Sequence, residues 1–219
     1  MEKRKEKKSI LILGLGRFGR HMAQKLIESG HEVLAVEWNE DRADDAVGLV
    51  QQILIGDVTD ERFMESLGVR NFDFAVVAIS ENFQHVLEAT VLLKDLGCRY
   101  VIARATKDVH RKLLLRNGAD YVVYAEREIA ERLAIKFGAD NIFDYIELTP
   151  EIGIYEVAVP REWIGKSILE LSIRNKYQVS VLATKKNEQI FPLPSPHHIF
   201  ENDESVMVMG TAEAIKAIT

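Results

Sequence analysis

The chain has 219 residues, 47% apolar and 28% charged, with 28 Lys and Arg against 34 Asp and Glu for a formal charge of −6. This is globular composition with chain enough for one large or two small domains, and its negative balance argues against nucleic acid as a partner, because phosphate binding needs a concentrated positive surface. No apolar run reaches the roughly 18 to 20 residues that span a bilayer, and the single cysteine excludes an internal disulfide, so a soluble cytoplasmic chain is expected.

Residues 1 to 8, MEKRKEKK, form a basic tail that either meets an anionic membrane or acidic partner or is simply solvated. Six short apolar runs follow: SILILG (9 to 14), EVLAVE (32 to 37), QILIG (52 to 56), FDFAVVAIS (72 to 80), YVIARA (100 to 105) and DYVVYA (120 to 125). Runs without polar alternation read as strands buried on both faces, which belong to parallel sheets. Between them lie amphipathic stretches. GRHMAQKLIESG sets Met22, Leu26 and Ile27 on one face and stops at Gly30, and NFQHVLEATVLLKDLG stops at Gly97. The alternation predicts an α/β fold, a doubly wound, Rossmann-like parallel sheet of six strands in the order 3-2-1-4-5-6 with right-handed crossovers. Cys98, where helix hands over to strand, reads as a small buried apolar residue.

A further helix, EREIAERLAIKFG, carries Ile129, Leu133 and Phe137 at four-residue spacing beside Ala130 and Ala134. That face is either core or the contact of a second copy. The first domain is placed at 9 to 140, a linker at 141 to 150, and a small α+β domain at 151 to 219, with strands in IYEVAV, VSVLAT, QIFPL and SVMVMG and short helices in SILELSIR and AEAIKAI. Pro192, Pro194 and Pro196 interrupt regular structure. His197 and His198 beside them either bind a metal or ligand or are solvated.

Gly14, Gly16 and Gly19 follow a strand and open a helix, and Glu37 stands 18 residues after Gly19 at the end of the next strand. This is the context a dinucleotide fingerprint requires. Gly14 makes the turn, Gly16 admits phosphate to the backbone, Gly19 lets the helix pack, and the helix N-terminus offers amides to the anion. Glu37 is expected to accept ribose hydroxyls, which disfavours NADP. Arg17 either pairs with phosphate oxygens or is an exposed first-turn residue. Asp57 can reach the adenosine half, with Thr59 or Asp60 capping the next helix. Asn82 is either a cap or a wall of the pocket. No tyrosine is followed four places on by lysine, and neither HExxH nor CxxC occurs. The binding half of an oxidoreductase is legible and its catalytic half is not.

LILGLGRFGRHMAQKL, GHEVLAVEWNEDRA, ILIGDVTDERFMESLGVRNFDFAVVAISEN, NGADYVVYAEREIAERLA and VPREWIGKSILELSIRNKYQVSVLATKKNEQIFPLPS resemble the two RCK domains of the TrkA and KtrA/KtrC regulators of bacterial potassium uptake. The resemblance implies a non-enzymatic gating subunit, a dimer assembling into an octameric ring on the cytoplasmic face of an integral membrane potassium-translocating partner of the TrkH/KtrB kind. It implies ATP or ADP, with NAD or NADH as the alternative, held by Gly14, Gly16, Arg17, Phe18, Gly19, Glu37, Asp57, Val58, Asn82 and Arg104. By the same resemblance Glu126 helps to hold Mg2+ or another divalent cation, although an acid at a helix start is favourable without a metal. Ile164, Ile168, Ile173, Arg174, Asn175 and Pro194 fall where relatives can bind cyclic di-AMP, or are core and turn residues. Gln178 departs from the glycine common at that place. An NAD-dependent oxidoreductase and a nucleotide or redox sensor without a transporter are the competing readings.

Overall fold

The computed structural model describes residues 7–79, 81–149 and 151–219. Residues 1–6 of the basic tail, Ser80 at the end of the fourth expected strand, and Pro150 at the end of the expected linker lie outside them. The chain divides into two compact units after Glu126.

In the first unit, β1 (Ser9–Leu13), β2 (Glu32–Glu37), β3 (Gln52–Ile55), β4 (Phe74–Val77), β5 (Val101–Arg104) and β6 (Tyr121–Val123) alternate with α1 (Arg17–Glu28), α2 (Glu40–Asp44), α3 (Glu61–Ser66), α4 (Phe83–Asp95) and α5 (Asp108–Arg116). All strand pairings are parallel and the order is β3-β2-β1-β4-β5-β6, as expected. The period-two geometry of a strand explains the unbroken apolar runs. Leu11 and Leu13 enter the core on one side of the sheet while Ile10 and Ile12 enter the core on the other, so these four are all buried. β3, expected to be buried on both faces, is instead an edge strand that leaves Leu54 and Ile55 41% and 50% exposed. Gly30 and Gly97, at φ +87° and +85°, take up the left-handed conformation just past α1 and α4, where glycine is the residue that fits. Cys98 is buried, its thiol directed to the Tyr100 carbonyl at 3.6 Å.

Because β1 lies between β2 and β4, the connections leaving it and its neighbour diverge. That divergence opens a crevice beyond the C-terminal ends of these strands. α6 (Ala125–Gly138) leaves β6 and carries the chain into the second unit.

There β7 (Ile142–Glu147), β8 (Ile152–Ala158), β9 (Ser180–Lys186), β10 (Gln189–Pro192) and β11 (Glu204–Thr211) form an antiparallel sheet in the order β10-β9-β11-β8-β7, with α7 (Ile168–Leu171), α8 (Ile173–Tyr177) and α9 (Ala212–Lys216). Its core is built on fully buried Trp163, Val157, Val206 and Val208 with Phe200. The stretch expected as a linker is therefore partly strand: residues 142 to 147 pair with β8. The physical reason is a contact across the two strands. Tyr145 packs on Tyr155 with ring centroids 4.7 Å apart, and Gly153 admits this approach, since a Cβ there would lie 2.3 Å from the Tyr145 ring. Burial drives the Tyr145 phenol up to about 12. β10 is an edge strand that stops at Pro192, the kind of place where a sheet tolerates proline.

Candidate functional site

The crevice is floored by the loop between β1 and α1, and its three glycines have three different reasons. Gly14, at φ +99°, is in the left-handed region, and a Cβ on it would come within 3.2 Å of the Ile79 amide nitrogen. A Cβ on Gly19 would lie 2.0 Å from the Gly14 carbonyl oxygen, a backbone atom that cannot retreat. Gly16 is unlike both: its φ is an ordinary −61°, and a Cβ there would meet nothing within 4 Å. The fold does not need glycine at this position, so the space beside it is a cradle that a side chain would fill. Gly16 also stands at the N-terminus of α1 without a side-chain cap and with no acid in the first turn, leaving amides and a positive helix end turned to that space.

Glu37, at the end of β2, is 2% exposed. Its Oε2 accepts the Leu15 N–H at 2.7 Å, and its Oε1 accepts those of Trp38 and Asn39, each at 3.1 Å. The carboxylate is thus first a staple between the glycine loop and the turn after β2, and a ribose hydroxyl is left with the acceptor capacity that three amides do not use. Asp57, after β3, accepts both the Thr59 amide and hydroxyl through Oδ1, which hold its carboxyl below the usual range. Val58 is buried beside it. Asp60 caps α3 and Asn82 caps α4.

Arg17, Phe18, Arg104 and Glu126 come together from three places in the sequence. Arg17 is exposed at the first position of α1. The Arg104 guanidinium, at the end of β5, lies 5.7 Å from the Phe18 ring centroid and donates through Nη2 to Glu126 at the start of α6. Its Nε is buried without a hydrogen-bond partner, which an anion's oxygen would satisfy. Glu126 is held below the usual carboxylate range, first by its own backbone N–H and then by Arg104 and Arg17. Two contacts in this unit had no distinctive sequence signal. Arg42 pairs with Glu81, and Phe83 stacks on His110 with centroids 3.7 Å apart.

The pattern of the TrkA-N domain matches residues 10–125 and that of the TrkA-C domain matches residues 153–219. The chain belongs to the TrkA-N/TrkA-C family of RCK proteins. This RCK chain is 35% identical to the Ktr system potassium uptake protein C of Bacillus subtilis (strain 168) over 209 residues, 95% of each chain. It is 34% identical to the Ktr system potassium uptake protein A of the same organism, over 95% of this chain and 94% of that one. Its fold is similar to that of the GsuK channel bound to NAD, with a TM-score of 0.67 and 20% identity over 98% of this chain and 39% of the longer GsuK chain.

In the TrkA-C half, the six residues expected at a second-messenger site divide. Ile173 is buried, Ile164 and Ile168 pack against the core, Arg174 and Asn175 are exposed on α8, and Pro194 is half-buried. His198 Nε2 lies 3.0 and 3.1 Å from the two oxygens of the buried Glu204, a contact in which His197 takes no part. A cleft of about 810 Å3 in this unit is lined by Phe143, Glu156, Lys185 and Glu204 among others. Lys185 is paired there with Glu156 and Glu188. Among the described residues no three acids, histidines or cysteines gather as a metal site, and no helix is long and apolar enough to cross a membrane.

Proposed function

We propose that this RCK protein is the cytosolic, nucleotide-binding regulatory subunit of a potassium uptake system, binding ATP or ADP on the glycine loop and controlling a membrane-embedded translocating partner. The observation that carries the reading is Gly16: a glycine that its own fold does not require, opening space at an uncapped helix N-terminus with Arg17 and the orphaned Arg104 Nε in the same unit. That donor set suits the terminal phosphates of ATP or ADP better than the neutral amide of a nicotinamide. The family's potassium-uptake members supply the cellular role.

The nucleotide would be held by the amides of residues 16 to 18 and by Gly14 and Gly19 through loop shape. Glu37 and Asp57 would take the ribose and adenosine side. Arg17 and Arg104 would meet phosphate charge. Glu126 can contribute one carboxylate to a divalent cation once a phosphate displaces it from Arg104, and the remaining ligands would come from phosphate oxygens or a second copy. The α6 stripe of Ile129, Leu133 and Phe137, 58%, 46% and 79% exposed, is the surface through which two copies would pair on the way to a ring. A ligand shifts a conformational equilibrium only by its differential affinity for the two states. ATP differs from ADP by one phosphoryl group, which Arg17 and Arg104 can sense, and a coupling of about 1–3 kcal/mol per site is ordinary for allostery.

The test is calorimetric titration of nucleotide-free protein with ATP, ADP, NAD and NADH, with and without magnesium, beside Gly16→Ala. ATP or ADP binding weakened at least about tenfold in the variant supports the reading. Preference for NADH would overturn the choice of ATP or ADP within the regulatory reading, and steady oxidation of NADH with a substrate would overturn that reading in favour of an oxidoreductase.

A further inference from the structure

The two tryptophans of this chain have opposite surroundings. Trp163 is fully buried in the second unit, whereas Trp38 in the first is 65% exposed. An indole left in water forgoes a large apolar stabilisation, and nothing in the packing of the first unit accounts for it. Its place in the chain does. Trp38 immediately follows Glu37 at the end of β2, and its backbone is pinned there: its N–H donates to Glu37 Oε1 at 3.1 Å, and the Glu37 carbonyl accepts the Gly56 N–H at 3.1 Å.

We propose that Trp38 is the platform on which the purine base of the nucleotide stacks. The proposal rests on the nucleotide-binding reading above and adds the specificity-determining residue. With phosphates at the α1 N-terminus and ribose at Glu37, the base extends past the end of β2 toward Trp38 and the Gly56–Asp57 turn. The base leaves the ribose at C1′ and the 5′ phosphate chain leaves it at C4′, so a ribose whose hydroxyls meet Glu37 between the two sets the base beyond the end of β2 when the phosphates sit at α1. A flat, rigid indole suits a heteroaromatic base, and stacking tolerates the base's edge chemistry while demanding its aromatic face. A single such contact accounts for roughly 5- to 150-fold in affinity. It acts equally on AMP, ADP and ATP, separating retention of the base from the sensing of phosphate number by Arg17 and Arg104.

Tryptophan emission tests this directly, because Trp163 is a buried internal reference. Wild type, Trp38→Phe and Trp38→Ala are titrated with ATP, AMP and inorganic triphosphate, and binding of radiolabelled ATP is measured in parallel by equilibrium dialysis. The expected result is saturable quenching by ATP and AMP but not by triphosphate, absence of that response in Trp38→Phe, and a dialysis affinity for ATP weakened 5-fold or more in Trp38→Ala and largely kept in Trp38→Phe. ATP binding by dialysis with unchanged emission and an unchanged Trp38→Ala affinity overturns the proposal and leaves the nucleotide reading standing. A Trp38 already shielded from iodide in nucleotide-free protein, in a concentration-dependent way, assigns the indole to contact between copies and also overturns it. No ATP binding in any form overturns the nucleotide reading itself.

Discussion

The buried carboxylate of Glu37 accepts the backbone amide of Leu15 at 2.7 Å, tying the end of β2 to the glycine loop 22 residues earlier. A residue expected to meet the ribose is therefore also what holds the phosphate loop in shape. Glu37→Gln replaces one acceptor oxygen by a donor facing backbone N–H groups. It is expected to destabilise the protein by about 1–3 kcal/mol and to abolish nucleotide binding, measured by urea unfolding and calorimetry. Unchanged stability would mean that the loop stands without the staple.

The glycines separate fold from function. Gly19→Ala drives a Cβ toward the Gly14 carbonyl, and overpacking of this kind costs about 1–3 kcal/mol or more. Gly16→Ala meets open space and should cost less than about 1 kcal/mol, the scale of a helix-cap change, while weakening nucleotide binding. Thermal unfolding of the two variants side by side decides whether the division is real.

The Glu126 carboxyl lies below its ordinary value in the folded chain, so its contribution is present above the unfolded value near 4.5 and is lost as pH falls through the lower folded value. Arg104→Ala is expected to raise its pKa only part of the way back, because the largest cause is Glu126's own backbone N–H at the start of α6. Carbon-detected NMR titration of the carboxyl reads this. Full restoration would show the ion pair to be the main cause.

Leu133→Asp or Phe137→Asp on α6 places a charge in a stripe that has no buried residue within one chain. A shift from the proposed dimer to monomer in sedimentation velocity, with unfolding temperature measured at fixed protein concentration, is the expected outcome. Retention of the dimer would place the contact elsewhere.

Burial pushes the Cys98 thiol above its usual range, and thiolate is the reactive form. A thiol reagent at pH 7.5 should label it only as fast as the first unit opens, so the rate should rise with denaturant. Prompt labelling in buffer would contradict its burial.

The first unit was legible because hydrophobic periodicity and glycine spacing are local. Ile10 to Leu13 declare a strand covered on both sides, and Gly30 and Gly97 declare where helices end. β7 was not legible as a strand: its burial follows from Tyr145 meeting Tyr155 across Gly153, and the segment itself lacks clean alternation. The phosphate end of the site was only half legible for the same reason. Gly16 and Arg17 lie within the glycine motif, but the unpartnered Nε of Arg104 exists only where β5, α1 and the start of α6 converge.

By itself the sequence determined the element order of the first unit, its parallel sheet and the position of the glycine loop, because the strands, helices and turns that set them depend on residues within one turn or one strand of each other. Tertiary structure alone decided that Glu37 is a staple before it is a ribose contact, that Gly16 is the glycine its fold does not need, and that Trp38 stays in water while Trp163 is buried. These depend on which atoms from distant segments occupy, or leave vacant, the same few ångströms. Spacing along a chain does not encode that volume.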